Sequence, residues 1–224
     1  MTYCTISQLS FRYTGVQEYV LKDFSLNVEH GELVGILGQS GCGKSTLLRL
    51  IAGLEMPTAG SIQIKDTIMV DASTFVQPEQ RGVGMVFQDY ALFPHLTVEQ
   101  NIQFGLHRMS RKQRADRVSE MLELVRLQDF RKRYPHELSG GQQQRAAFAR
   151  AVAPAPAVLL MDEPFSNIDS EMKREIRVEL KRMLQESNTT AILVTHDIED
   201  ANTVCDRIVQ IENMCADCNL VCSV

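Results

Sequence analysis

Short, almost uninterrupted apolar runs set the frame of this chain. Residues 33–37 read Leu-Val-Gly-Ile-Leu, residues 158–161 read Val-Leu-Leu-Met, and residues 191–195 read Ala-Ile-Leu-Val-Thr. Each is too short for a helix and suits a strand buried in a sheet. Earlier, residues 3–30 alternate in strand fashion, most clearly over 20–26, and residues 60–70 predict further short strands. Helical spacing takes over elsewhere. Leu47, Leu48, Leu50 and Ile51 predict a helix over 46–52 packed on a sheet. Residues 97–153 turn helical, with Val118, Met121, Leu122 and Val125 on one stripe and a capping box at Ser110 and Gln113. A helix is expected over 142–152. Met172, Ile176, Leu180, Met183 and Leu184 mark an amphipathic helix, followed by the 191–195 strand and a final strand near 207–211. Strands and helices mixed in this way predict an α/β fold, with a main lobe and a smaller helical lobe. Neither an internal repeat nor a low-complexity linker interrupts the pattern.

The chemistry gathers where these strands end. Residues 38–46 read Gly-Gln-Ser-Gly-Cys-Gly-Lys-Ser-Thr, which fits G-x-x-x-x-G-K-[ST] with Gly38, Gly43, Lys44 and Ser45 in the fixed places. Strand, glycine loop and helix is the context a phosphate cradle requires. Backbone N–H groups of Gly38, Gln39, Ser40, Gly41, Cys42, Gly43, Lys44, Ser45 and Thr46 then form a nest, and the helix N-terminus adds partial positive charge. Lys44 is expected to reach the β- and γ-phosphates of a nucleoside triphosphate, and the Ser45 hydroxyl to bind Mg²⁺.

The 158–161 run ends in Asp162-Glu163-Pro164. Asp162 is placed to hold the magnesium shell, and Glu163 to polarise an attacking water as general base. His196 follows its strand directly, where a neutral imidazole can donate a hydrogen bond to a phosphoryl oxygen. His30, His95, His107 and His136 lack such placement and read as surface or partner contacts. Tyr13 offers a flat face suited to a base ring. Ser139, Gly140 and Gly141 precede the expected 142–152 helix, whose free N–H groups form a second anion site.

With those residues in view, the chain resembles the nucleotide-binding subunit of an ATP-binding cassette (ABC) transporter, from about residue 3 to residue 212. Leu138-Ser139-Gly140-Gly141-Gln142 is similar to that family's signature motif. Gln88 resembles the glutamine loop that senses magnesium and meets the membrane partner. Ser166-Asn167-Ile168-Asp169 resembles the loop that touches the opposing subunit, His196 the switch histidine, and Tyr13 the aromatic that stacks on adenine. The resemblance implies a P-loop NTPase cassette with a RecA-like α/β lobe, an N-terminal antiparallel β part and a helical subdomain inserted at about 89–153. It implies ATP and Mg²⁺ as ligands and a head-to-tail homodimer with two ATP molecules at its seam. It also implies two transmembrane permease subunits, served by a periplasmic solute-binding protein at the bacterial inner membrane.

Composition narrows the setting. At 224 residues and 44% hydrophobic, the chain can bury a sizeable core. A net charge of −5 argues against general nucleic-acid affinity. The apolar stretch 151–161 is broken by Pro154 and Pro156 and is too short to span a bilayer, and residues 1–5 lack an export signal. The basic residues from Arg108 to Arg133 read as a solvated face. A peripheral place on the cytoplasmic membrane face is therefore expected.

Two stretches bear on the finer function. Residues 90–98 resemble importers for ferric iron, polyamines, sulfate and sugars, and apolar Leu92, Phe93 and Leu96 are expected to form a groove for a short helix of the membrane subunit. Residues 163–169 look most like the ferric-iron branch, with a polyamine, sulfate or sugar importer, or a truncated cassette that binds ATP without driving transport, as alternatives. From Met214 the chain departs from that branch, which continues with a regulatory β-domain. Three of the six cysteines, Cys215, Cys218 and Cys222, fall here. A truncated or altered end is preferred over a zinc site, since three thiols lack a fourth ligand. Scattered Cys4, Cys42 and Cys205 suggest no disulfide framework.

Overall fold

The computed structural model describes residues 2–168, 170–211 and 221–223. Two sheets share the work. β1 (Thr2–Phe11), β2 (Leu21–Glu29), β4 (Ala59–Ile64) and β5 (Thr67–Val70) form an antiparallel sheet in the order β2-β1-β4-β5. The second sheet runs β10-β9-β3-β8-β7-β6. Its strands are β3 (Leu33–Gly38), β6 (Val83–Val86), β7 (Val158–Asp162), β8 (Ala191–Thr195), β9 (Arg207–Ile211) and β10 (Val221–Ser223). β6, β7, β8, β3 and β9 are parallel neighbours, and β10 pairs antiparallel with β9.

The apolar runs are apolar because both faces of this sheet are covered. Val34, Ile36, Val158, Leu160, Ile192 and Val194 join one core with the antiparallel sheet and helix α1 (Lys44–Ala52). Their alternates Leu33, Leu159, Met161, Ala191 and Leu193 join the other, with α2 (Val98–Gln103), α3 (Arg111–Leu124), α4 (Gly140–Val152) and α5 (Ser170–Glu186). Successive side chains point to opposite faces, so one short run feeds two cores.

Helix ends follow local chemistry. Thr97, Ser110 and Ser139 each accept a hydrogen bond from the backbone N–H three residues on, and Gln100, Gln113 and Gln142 return it as capping boxes. The Ser110–Gln113 box is thus as expected. The 142–152 helix starts earlier, at Gly140, because Ser139 takes the cap and both glycines enter the first turn. α5 also departs from its predicted stripe: Ile176, Leu180, Met183 and Leu184 are buried, whereas Met172 is 44% exposed one turn before the contact begins. α6 (Ile198–Val204), capped by Asp197, was not predicted, because seven residues are too few to show a period. Nor is β9 the last described strand, since β10 follows it.

One buried arginine fastens α1 from behind. Arg81 is 2% exposed, and its guanidinium donates to the carbonyls of Leu50, Ile51 and Val76 while lying over the Phe75 ring. Two of those carbonyls belong to the last turn of α1: that of Leu50 also accepts from the Gly53 N–H at 3.2 Å, and that of Ile51 lies beyond the reach of the helix's own N–H groups. Gly53 leaves room for this contact: a Cβ there would meet Arg81 Nε at 2.5 Å. Arg81→Met would remove a donor from all three carbonyls, leaving Leu50 its Gly53 N–H, and is expected to cost about 3 kcal/mol. Denaturant unfolding should show that loss as a lower midpoint at unchanged slope.

Candidate functional site

Everything singled out near the glycine loop lies at the carboxyl ends of β3, β7 and β8. β3 delivers Gly38, and α1 starts five residues later from Gly43, which holds φ +96°. Gly41 (φ +83°) is likewise confined to glycine by its backbone, with open space around it. Gly38 is glycine for another reason. A Cβ there would lie 2.8 Å from both Cys42 Sγ and the Ile211 carbonyl of β9. Neighbouring protein already demands it.

Lys44 is 5% exposed and reaches back across its own loop. Its ammonium donates to the carbonyls of Gly38 and Gln39, each at 2.8 Å, and lies 4.0 Å from Glu163 Oε1. Ser45 Oγ donates to Asp162 Oδ1 at 2.9 Å, joining the first turn of α1 to the end of β7. Burial pushes the Asp162 carboxyl above the usual carboxylate range; the Ser45 hydrogen bond opposes that, and the charge of Glu163 adds to it. A serine hydroxyl beside a carboxylate is a hard-oxygen pair suited to Mg²⁺, which takes few protein ligands and completes its shell with phosphate and water.

Glu163 leaves the sheet sharply. Its N–H still donates to the Val194 carbonyl at 3.0 Å, yet its φ is +44°, a left-handed turn that aims the side chain across the strand ends. Oε2 lies 3.1 Å from Nδ1 of His196, whose ring is 53% exposed. This contact alters the donor count expected of His196. A neutral imidazole has one N–H, and an N–H turned to Glu163 is not available to another acceptor. Donation to a phosphoryl oxygen then requires a doubly protonated ring or release of Glu163. Beside the pair, a cleft of about 430 Å³ is lined by Leu37, Gly38, Gln39, His196, Gln210 and Ile211.

The remaining residues lie around this centre. Tyr13 is 40% exposed, edge-on to Phe11, with its hydroxyl 3.4 Å from Thr46 Oγ1. Gln88 is exposed just past β6, and its carbonyl accepts from Asn167 Nδ2 at 2.9 Å. Tyr90 and Ala91, two and three positions on, hold φ of 62° and 46°, and their carbonyls accept from Arg150 of α4. Gly140 opens α4 with its Cβ position 3.8 Å from the Asn167 carbonyl. Leu92, Phe93 and Leu96 are half-buried, and Phe93 packs on the 60% exposed Phe104. Asp169, Cys215 and Cys218 lie outside the described residues. His30, His95, His107 and His136 are all exposed. Among the described residues no group of three or more His, Cys, Asp or Glu side chains is placed to hold a metal ion.

Sequence reasoning missed Asn167 as the tie to Gln88, and Arg150 and Arg177 as charges on half-buried or buried helix faces. Arg177 had a usable signal: it adjoins Ile176 and precedes Leu180 by three, so it falls within the apolar stripe of α5.

The model of the family described as ABC transporter matches residues 21–166. The chain belongs to the ABC transporter family. This ABC chain is 47% identical over 205 residues to the putrescine transport ATP-binding protein PotG of Escherichia coli (strain K12), covering 91% of itself and 53% of that protein. It is 50% identical over 189 residues to the sulfate/thiosulfate import ATP-binding protein CysA of Gloeobacter violaceus, covering 84% of itself and 54% of that protein. It thus spans about half the length of the curated relatives it matches. Among solved structures, the ABC fold agrees with the dimeric post-hydrolysis cassette MJ0796 bound to ADP and Pi (TM-score 0.79, 36% identity, 93% of this chain and 94% of that one). CbiO1 of Clostridium perfringens, part of the transporter complex cbiONQ, gives a TM-score of 0.85 at 29% identity, covering 95% of this chain and 86% of that one.

The raised Asp162 carboxyl has a stability consequence. The folded ABC chain binds this proton more tightly than the unfolded chain, so stability falls as pH rises from the ordinary aspartate range through the raised folded value. Asp162→Asn should therefore melt higher than wild type at pH 7 without nucleotide. Calorimetry below pH 3.8, the ordinary value, should find that advantage gone.

Proposed function

We propose that this chain is the ATP-binding and ATP-hydrolysing subunit of a bacterial ABC import system. The observation that carries the reading is the convergence of Lys44, Ser45, Asp162, Glu163 and His196 on one sheet edge, with Ser45 2.9 Å from Asp162 and His196 3.1 Å from Glu163. Lys44 leaves the Gly38 and Gln39 carbonyls for β- and γ-phosphate oxygens, while the backbone N–H groups of residues 38–46 hold the rest of the chain of phosphates. Ser45 and Asp162 would hold magnesium, with Gln88 at its margin, and the ion supplies charge neutralisation at the triphosphate. Glu163 accepts the proton of the attacking water. His196, released from Glu163, offers an N–H to the terminal phosphoryl oxygens. Tyr13 stacks on the adenine.

The signature residues Ser139, Gly140, Gly141 and Gln142, and Asp169 in the adjoining loop, act on nucleotide held by a second copy. The dimeric nucleotide-bound state of MJ0796 supports this arrangement. Closure of the pair moves two transmembrane permease subunits through the segment from Gln88 to Leu96, and a periplasmic binding protein delivers the solute. Among the described residues no helix is long and apolar enough to cross a membrane, which fits a peripheral subunit on the cytoplasmic face of the inner membrane.

For the solute, the names of the relatives support a polyamine or sulfate ahead of the ferric iron suggested by residues 163–169. This choice rests on likeness, because the cassette does not meet the solute. The test is uptake by cells whose own copy carries Lys44→Ala. Putrescine or sulfate uptake should be lost and ferric-iron uptake retained; the reverse pattern would restore iron.

The chemistry is tested separately. Lys44→Ala should abolish ATP binding measured by calorimetry, and undiminished binding defeats the loop assignment. Glu163→Gln should keep ATP while hydrolysis falls by roughly 10²–10⁴-fold, the range for a lost general base. Light scattering should then show a stable dimer with ATP; a strictly monomeric mutant counts against the shared site.

A further inference from the structure

Arg177 sits on α5, away from the nucleotide residues, yet its contacts converge on the backbone that carries His196. Its side chain is 6% exposed. Nε donates to Asp200 Oδ1 at 2.6 Å, Nη1 to Glu199 Oε2 at 3.0 Å, and Nη2 to Asp197 Oδ2 at 2.8 Å. The second oxygen of Asp200 accepts from Thr195 Oγ1 at 2.8 Å, and that hydroxyl accepts from the Asp197 N–H at 3.0 Å. Asp197 Oδ1 in turn caps α6 by accepting from the Glu199 N–H. Both chain neighbours of His196, Thr195 before it and Asp197 after it, are therefore tied to one guanidinium.

An imidazole that is half exposed has little packing to orient it. Its direction must come from the backbone on either side. Remove the guanidinium, and three carboxylates lose their common cation while two of them, Asp197 and Asp200, repel across the turn. We propose that Arg177 is a positioning residue for catalysis: it sets the backbone at Thr195 and Asp197 that holds the His196 ring at the sheet edge, beside Glu163 at rest and within reach of the terminal phosphate once that contact opens. The inference rests on the ATPase reading above and deepens it. A merely structural Arg177, pinning α5 to α6, would also be buried and bridged, so the test must separate the two roles.

Arg177→Lys keeps the charge but cannot fork to three carboxylates. With ATP, kcat should fall by about 10- to 100-fold with KM changed less than about twofold, since the phosphate loop is untouched. In a His196→Ala background the same substitution should cost less than about twofold more, because the residue it acts through is gone. An equal loss in both backgrounds, or unchanged kcat in the first, overturns the proposal. Should wild type prove inactive or His196→Ala prove silent, the ATPase reading fails, and imidazole nitrogen NMR still decides the position of the ring. Wild type should show one tautomer, with Nδ1–H donated to Glu163, and Arg177→Met should show that bond lost. A ring signal identical to wild type refutes the positioning role. If Arg177→Met does not fold, Asp200→Ala removes both oxygens and severs the same tie to Thr195 with the arginine in place, and is read in the same way.

Discussion

The geometry of the site depends on strand register. β3 pairs in parallel with β8 so that Leu37 faces Thr195, and with β9 so that Gly38 faces Ile211, while Asp162 of β7 faces Val194. Asp162, Thr195 before His196, and Gly38 therefore end within two residues of one another along the sheet edge, level with Ile36, Leu37 and Gly38 of β3. A slip by a single residue would exchange every side chain between the two faces. Here both faces are buried, but against different partners: one core is closed by α1 and the antiparallel sheet, the other by α2 to α5. The slip would force two differently shaped cores to accept each other's side chains at once. Packing far from any nucleotide thus fixes the height at which the polar residues emerge.

Charge is handled by a second set of constraints. Buried cations in this fold are bound to protein oxygen. Lys44 donates to two loop carbonyls, Arg81 to three carbonyls behind α1, and Arg177 to three carboxylates at α6. The three do different work. Arg81 ends a helix whose first turn holds Lys44 and Ser45, so it steadies the phosphate loop from the far end. Arg177, on the proposal above, does the same for the turn that bears His196. Both act through backbone, which tolerates little displacement once packed.

How much of this the sequence discloses depends on the range of the interactions. Strand–loop–helix at residues 33–52 and the carboxylates after 158–161 are legible because burial on both faces writes continuous apolar runs, and a glycine loop writes its own backbone needs. Capping at Ser110 is local and readable. The Ser139–Gln142 box that starts α4 two residues early is equally local. What could not be read was set by distant partners. Gly38 looks like a phosphate glycine, but its tight neighbours are Cys42 and Ile211. The Glu163–His196 contact joins strands whose adjacency no local pattern encodes. Solute identity is a further step removed, since it belongs to subunits this chain would only drive.

The polar groups of the site answer one another: Lys44 its loop carbonyls, Ser45 Asp162, and His196 Glu163. On the proposed function, triphosphate must break these contacts rather than fill a set of waiting donors. That exchange is feasible because each broken bond is replaced by one to a stronger acceptor, a phosphoryl oxygen carrying negative charge. Leaving a buried group unmatched would cost about 1–3 kcal/mol, so partial occupancy by a shorter or misplaced ligand is disfavoured. The Glu163–His196 contact is the one most exposed to solvent and so the easiest to open. Its release frees the carboxylate for water and the imidazole for phosphate in a single movement, which ties the two catalytic roles to the presence of the terminal phosphate.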